Sequence, residues 1–335
     1  MSNIYFIIEW LTYMDDSVSV VIPYYNDSPR IEKCLDSICS QTRQAIEVII
    51  VDDCSKDSAL LLKIIDKFKN KINIRYLRND ENKNGAYSRN VGMREARGGI
   101  VAFLDADDYW ATDHLEESVN ALLLNGVEFV FSNVIEVDCC GCESRRKVTN
   151  PQYLDNKYDI ILLSPPQTNS FLFRKEIFDS KEIFFDENLR RHQDYQFLTL
   201  ILEKNISYQY IDKYTSYYVQ SHRPHTERMD YKSVFLFWEK CNSYVSGRLL
   251  KKFITGLVLE VVLVYGKNKT KSFIDSHELV KINASKLFLY LVLKTNFGVN
   301  ANRVIYPFFY YILFSPKSIL KKISQRINRK LVHNA

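Results

Sequence analysis

Asp105-Ala106-Asp107-Asp108 places three carboxylates within four residues. They follow Gly99-Ile100-Val101-Ala102-Phe103-Leu104, an apolar run that reads as a buried strand. Carboxylates this close repel one another, and a fold tolerates them best when a hard divalent cation neutralises them. Mg²⁺ and Mn²⁺ prefer carboxylate oxygen, and Mg²⁺ keeps room in its shell for substrate phosphate oxygens. The cluster therefore predicts a metal–diphosphate site at a strand end. The competing reading is a solvated acidic turn that caps a helix starting near Thr112. A second pair, Asp52-Asp53, ends the β-branched run Ile46–Val51. Two acidic groups at two strand ends carry more weight together than either does alone.

The elements that must hold these groups can be read from apolar periodicity. Val18–Pro23, Ile46–Val51, Ile72–Leu77 and Ile100–Leu104 read as buried strands. Between them, Pro29–Gln41, Ser55–Lys69 and Ala86–Ala96 show helical spacing. The inner stripe of the second helix is expected at Leu61, Leu62, Ile65 and Phe68. This alternation predicts an α/β fold with a mainly parallel central sheet, whose ligands bind beyond the carboxyl ends of the strands. Further on come a helix at Thr112–Asn125, a hairpin of Val127–Val137 with Glu143–Val148, and a Pro-containing loop at Asn150–Gln167. A strand at Asn169–Arg174, a helix at Asp194–Lys204 and two short strands, Ile206–Ile211 and Tyr214–Val219, complete this part. From about Asp230 the pattern turns helical and stays so.

Composition supports a globular body: 335 residues, 46% hydrophobic and 25% charged. The net charge of +5 hides an asymmetry. Residues 1–230 hold 27 Lys and Arg against 36 Asp and Glu, whereas residues 231–335 hold 18 against 4. An acidic body joined to a basic, aromatic C-terminal region points to an anionic membrane or nucleic acid, and no groove-reading or single-strand motif supports the latter. Ser315–Leu331 carries Ile319, Ile323, Ile327 and Leu331 at every fourth residue beside six cationic residues, the pattern of an interfacial helix. No apolar stretch reaches the ~20 residues a membrane-spanning helix needs. Seven cysteines at irregular spacing, with no evident cleavable secretion signal, suggest reduced thiols in a cytoplasmic setting. Cys139-Cys140-Gly141-Cys142 lacks a second ligand pair at zinc spacing and reads as a hairpin turn around Gly141. Residues 1–16 read as an N-terminal extension, with Met14 an alternative start.

Four motifs in order now stand out: Val18-Ser19-Val20-Val21-Ile22-Pro23-Tyr24-Tyr25-Asn26, Val51-Asp52-Asp53-Cys54-Ser55-Lys56-Asp57, Asn84-Gly85-Ala86-Tyr87-Ser88-Arg89-Asn90-Val91-Gly92 and Phe103-Leu104-Asp105-Ala106-Asp107-Asp108. Together they resemble family 2 glycosyltransferases, inverting enzymes with the GT-A fold, over about residues 17–222. The resemblance implies a nucleotide-sugar half at 17–110, an acceptor half at 111–225 and a separate helical region at 226–335. It implies that Asp105 and Asp107, with Asp108 as a further ligand, hold Mn²⁺ or Mg²⁺ against the donor diphosphate. Asp53 would read the nucleotide base or ribose, and Pro23, Tyr24 and Asn26 would line the nucleotide end of the first strand, where Tyr24 or Tyr25 could stack on the base. Gly85 would let the backbone approach the donor, and Arg89 would pair with a site carboxylate or a phosphate. Asp194, in Arg191-His192-Gln193-Asp194-Tyr195, stands where the family keeps its general base, with Gln193 in place of the usual Glu; Asp186 is the second candidate. His222 or His225 falls where some members contact the metal or diphosphate. The implied reaction is transfer of one sugar, from a UDP-sugar as the expected donor, to a saccharide or polyprenyl-diphosphate-linked acceptor at the inner face of a bacterial membrane during capsule or O-antigen assembly. The alternative is a degenerate, non-catalytic scaffold of such an assembly. The absence of Gly-x-Gly-x-x-Gly after the first strand disfavours a Rossmann dehydrogenase, and no P-loop pattern is present.

Overall fold

The computed structural model describes residues 15–220 and 230–294, together with 305, 307–309, 311 and 313. The chain forms two compact units, Met1–Phe237 and Trp238–Ala335. In the first, β1 (Val18–Tyr24), β2 (Glu47–Asp52), β3 (Ile74–Arg78) and β4 (Ile100–Phe103) alternate with α1 (Ser28–Cys39), α2 (Ser58–Phe68) and α3 (Gly85–Glu95). Then follow β5 (Tyr109–Trp110), α4 (His114–Leu124), β6 (Phe129–Val137), β7 (Glu143–Arg146), α5 (Ile160–Leu163), β8 (Leu172–Arg174), α6 (Ile177–Lys181), α7 (Gln193–Glu203) and β9 (Tyr208–Val219).

One sheet runs β3-β2-β1-β4-β8-β6-β9-β5, with β7 also paired to β6. The pairs β3-β2, β2-β1, β1-β4 and β6-β9 are parallel, while β8, β5 and β7 run against their neighbours. The sheet is thus mixed and mostly parallel, as the alternation predicts. β2 and β4 are buried along their whole length, because helices cover both faces. Their apolar runs are continuous for that reason, and their carboxyl ends deliver Asp52-Asp53 and Asp105–Asp108 to one edge of the sheet. Phe197 on α7 packs among Phe103, Phe129, Phe171, Phe173 and Phe185, closest to Phe185 at 4.4 Å between ring centroids. That cluster fixes the helix carrying Asp194 against the sheet.

Several local expectations need correction. Residues 206–219 do not form two strands: β9 is one strand whose register against β6 shifts on either side of Asn133. Asn133 Nδ2 donates to Asp212 Oδ1 at 2.8 Å and Asn133 Oδ1 accepts from Val148 N–H, so the irregularity is bridged by a side chain rather than ended by a turn. Asn169 is not in a strand; Thr168–Ser170 is a 3₁₀ turn and β8 begins at Leu172. α2 starts at Ser58, since Asp52 ties up Ser55 N–H and Ser58 Oγ in the preceding turn. Its buried stripe is Leu61, Ile64 and Phe68, while Leu62 is exposed. The hairpin turn forms as expected, with Gly141 at φ +79° and Cys139, Cys140 and Cys142 exposed as free thiols.

α8 (Tyr231–Cys241) crosses the boundary between the units. The second unit contains α9 (Gly247–Ser276), broken by a non-helical Gly266, then α10 (Glu278–Asn283) and α11 (Lys286–Lys294). Among the described residues, no helix is long and apolar enough to cross a membrane. Residues 1–14 of the expected 1–16 extension, His222, His225 and the segment Ser315–Leu331 lie outside the described residues.

Candidate active site

A cavity of about 180 Å³ opens beyond the carboxyl ends of β1, β2 and β4. Pro23, Tyr24, Asp53, Gly85, Arg89, Asp105 and Asp107 all line it. Tyr25, Asp27, Ser88 and Ala106 complete the wall. Asn26 does not; at φ +51° it shapes the turn after β1, where its Oδ1 accepts from Lys56 N–H at 2.7 Å. Tyr24 is 1% exposed and its hydroxyl donates to Asp57 at 2.8 Å, so it is a core residue whose edge meets the cavity. Tyr25, 42% exposed, is the ring free to meet a planar ligand.

The two aspartates after β2 have separate tasks. Asp52 is fully buried and accepts from Ser55 N–H, Ser58 Oγ, Tyr76 Oη and Arg78 Nη1, which hold its carboxyl below the ordinary range even though burial opposes this. It organises the turn. Asp53 faces the cavity and accepts from Asn79 Nδ2, Lys83 N–H and Asn84 N–H at 2.8–2.9 Å, drawing the loop before α3 around itself. Asn84, at φ +85°, caps α3 through Oδ1 on Ala86 N–H and Tyr87 N–H.

The acidic loop is held by both charge and hydrogen bonds. Ligand oxygens of Asp105, Asp107 and Asp108 lie within 4.8 Å of one another. Arg89 Nη2 meets Asp105 Oδ1 at 2.5 Å, and Arg30 Nη1 meets Asp107 Oδ2 at 3.1 Å. Burial pushes the Asp107 carboxyl up to about 6, with repulsion from Asp105 adding to this and Arg30 opposing it. Asp108 is 2% exposed, and burial, then its two acidic neighbours, push its carboxyl up strongly. Its Oδ2 accepts from Asn169 Nδ2 at 2.7 Å and its Oδ1 from Val219 N–H at 2.8 Å. Both of its oxygens thus already have protein donors, whereas Asp105 and Asp107 face the cavity. A divalent cation would offset both the burial that raises Asp107 and its repulsion with Asp105, so the donor set fits a hard metal ion.

Asp194 sits half-buried in the first turn of α7 and does not line the cavity itself. Burial raises its carboxyl pKa, while its helix-terminal backbone, Arg89 and Arg191 oppose the rise. Asp186 is a turn residue, its Oδ1 accepting from Asn188 N–H and Nδ2. Arg30, Asp27, Ser88 and Asn169 were not foreseen from the sequence. An Arg at the start of a helix or an Asn in a loop carries no local signal; only the topology brings them to the acidic loop.

Residues 19–181 match the model of glycosyl transferase family 2, and the chain is 30% identical over 186 residues to an uncharacterized glycosyltransferase of Haemophilus influenzae, covering 69% of that protein; it belongs to this family. It is 34% identical over 194 residues, 54% of its own length, to the amylovoran biosynthesis glycosyltransferase AmsB of Erwinia amylovora. The matched stretch spans 62% of that protein. The fold resembles the crystal structure of Staphylococcus aureus TarS 1–349 in complex with UDP-GlcNAc (TM-score 0.60, 21% identity, 87% of this chain and 89% of that one). It also resembles the mannosyltransferase PcManGT of Pyrobaculum calidifontis in complex with GDP-Man and Mn²⁺ (TM-score 0.55, 16% identity, 99% and 93% covered). The architecture is the GT-A fold with a helical C-terminal region.

Proposed function

We propose that the protein transfers one sugar, with inversion, from a UDP-sugar to a saccharide on a polyprenyl-diphosphate carrier, in surface polysaccharide assembly at the inner face of the membrane. The observation that carries this reading is the gathering of Asp53, Asp105, Asp107 and Arg89 around one cavity. Asp53 stands at the nucleotide end, where its carboxylate matches N–H and O–H donors of a base or ribose. Asp105 and Asp107 would hold Mn²⁺ or Mg²⁺, which when bound supplies Lewis-acid stabilisation of the departing diphosphate. Asp108 supports the loop from below through Asn169 and Val219. Asp194 accepts the proton of the attacking acceptor hydroxyl, a task for which a raised carboxyl pKa is apt. The ligands of the two similar structures, UDP-GlcNAc in one and GDP-Man with Mn²⁺ in the other, agree with a nucleotide-sugar donor and a divalent ion. The basic C-terminal region supports a peripheral membrane contact near a lipid-linked acceptor.

The test is a panel of UDP-sugars against polyprenyl-diphosphate-linked monosaccharides in Mn²⁺, with nucleotide release as readout. Transfer is expected to vanish in chelator and in Asp107→Ala. Asp194→Asn is expected to bind UDP and Mn²⁺ normally while losing about 10²–10⁴-fold in kcat. Full activity of Asp107→Ala in chelator would refute the metal role, and full turnover of Asp194→Asn would refute the base.

A further inference from the structure

The helix that carries Asp194 is tied to the donor side of the cavity by the side chain of Gln193. Its Oε1 accepts from Arg89 Nη1 at 2.8 Å. Its Nε2 donates to the Leu189 carbonyl at 2.7 Å and lies 3.4 Å from Asn84 Oδ1. Arg89 on α3 and Asn84 at its cap both lead to carboxylates of the cavity. Arg89 Nη2 bonds Asp105, and Asn84 N–H bonds Asp53 Oδ2 at 2.8 Å. A path of hydrogen bonds therefore runs from Asp53 through Asn84, Gln193 and Arg89 to Asp105, and Asp194 follows directly from its middle member. The room for this link is visible at Gly85. A Cβ there would come within 3.2 Å of Arg89 Nη1 and 3.4 Å of Gln193 Oε1. Arg89 is 7% exposed and its guanidinium lies 5.4 Å from the Phe185 ring, so it has little freedom to find another partner.

We infer that Gln193 is a positioning residue that sets where Asp194 stands relative to the donor site, and that the link requires an amide. This rests on the reading of Asp194 as the base. An amide can accept from Arg89 and donate to Leu189 and Asn84 at the same time; a carboxylate can only accept. A Glu at this place would keep the Arg89 bond and turn an oxygen toward two acceptors. Asn84 cannot answer by turning its amide over, because its Oδ1 caps α3 and its Nδ2 donates to the Glu187 carbonyl. Catalytic geometry of this kind is sensitive, since a misplacement of about 1 Å costs about 10²-fold in rate.

The experiment compares Gln193→Ala, Gln193→Glu and Asp194→Asn in the full chain, with the donor and acceptor that react in the panel above. UDP and Mn²⁺ binding is measured calorimetrically, and kcat is expressed per UDP-binding site so that misfolded protein does not count. Gln193→Ala is expected to lose about 10- to 100-fold in kcat, with UDP and Mn²⁺ affinity within about threefold of wild type. Gln193→Glu is expected to recover only part of that loss. The acid limb of its pH–rate profile is also expected to move upward, because a new negative charge beside Asp194 opposes its ionisation. Gln193→Ala with wild-type kcat, Gln193→Glu with wild-type kcat and an unmoved acid limb, or a kcat loss matched by weaker UDP binding would each overturn the inference. Asp194→Asn separates the two ideas. If it turns over normally, the base assignment falls and the inference falls with it. If it is inactive while Gln193→Ala is not, the inference alone falls.

Discussion

His114 offers a test of how burial beneath the acidic loop responds to acid. Its imidazole is fully buried, stacks on Trp110 at 4.5 Å and places Nδ1 2.8 Å from Thr215 Oγ1, while Nε2 has no hydrogen-bond partner. Burial lowers its pKa from 6.5 to about 3. The unfolded chain therefore binds a proton there more readily than the folded one. Stability from this residue is complete above pH 6.5 and is lost as pH falls toward 3. Between pH 7.5 and pH 5.0 the loss is about 2 kcal/mol. His114→Asn keeps a polar group near Nδ1 but cannot titrate. It is less stable at all pH values because it leaves a space, yet its pH dependence should be flatter than wild type by that same amount. His192, also lowered to about 3 by burial, titrates in both proteins and cancels. Urea unfolding of both proteins at the two pH values is the assay. Equal losses in wild type and variant would refute the reasoning. Trp110 Nε1 donates to the Asn169 carbonyl, and Asn169 holds Asp108, so charging His114 disturbs the layer on which the acidic loop rests.

Other predictions concern packing, metal and membrane. A Cβ on Gly92 would stand 2.3 Å from Val21 Cγ1, so Gly92→Ala should destabilise by about 1–3 kcal/mol in thermal unfolding, and adding Val21→Ala should restore part of it. With the Asp107 carboxyl at about 6, protons compete with the proposed metal, and calorimetry should find Mn²⁺ binding about tenfold weaker at pH 5 than at pH 7.5. Removing 315–335 should weaken sedimentation with anionic vesicles and leave neutral vesicles unaffected, since the segment carries cationic residues and no acids.

What was legible in the sequence follows physical lines. β1, β2 and β4 were readable because near-complete burial leaves continuous apolar runs, and the acidic groups were readable because carboxylates crowd at two strand ends at once. The division of labour between Asp52 and Asp53 was not, since it depends on which side each side chain leaves the strand and on Tyr76 and Arg78 of the neighbouring one. β9 was misread as two strands because Asp212 and Lys213 look like a turn; in the fold Asp212 bonds Asn133 and Lys147, partners distant in sequence. The ties from Arg30 to Asp107 and from Gln193 to Arg89 are long-range contacts between single residues, which periodicity cannot report.

The bond from Val219 N–H to Asp108 has a consequence for the timing of synthesis. The strands that deliver Asp53 and Asp105 are complete by residue 103, so the segments that carry these two carboxylates are synthesised early. The second of the two donors to Asp108 is made more than a hundred residues after it, at the last position of β9. A ribosome-bound fragment ending before Val219 would carry every carboxylate of the acidic loop with only Asn169 to hold Asp108, and the second bond would form only as the first unit is finished.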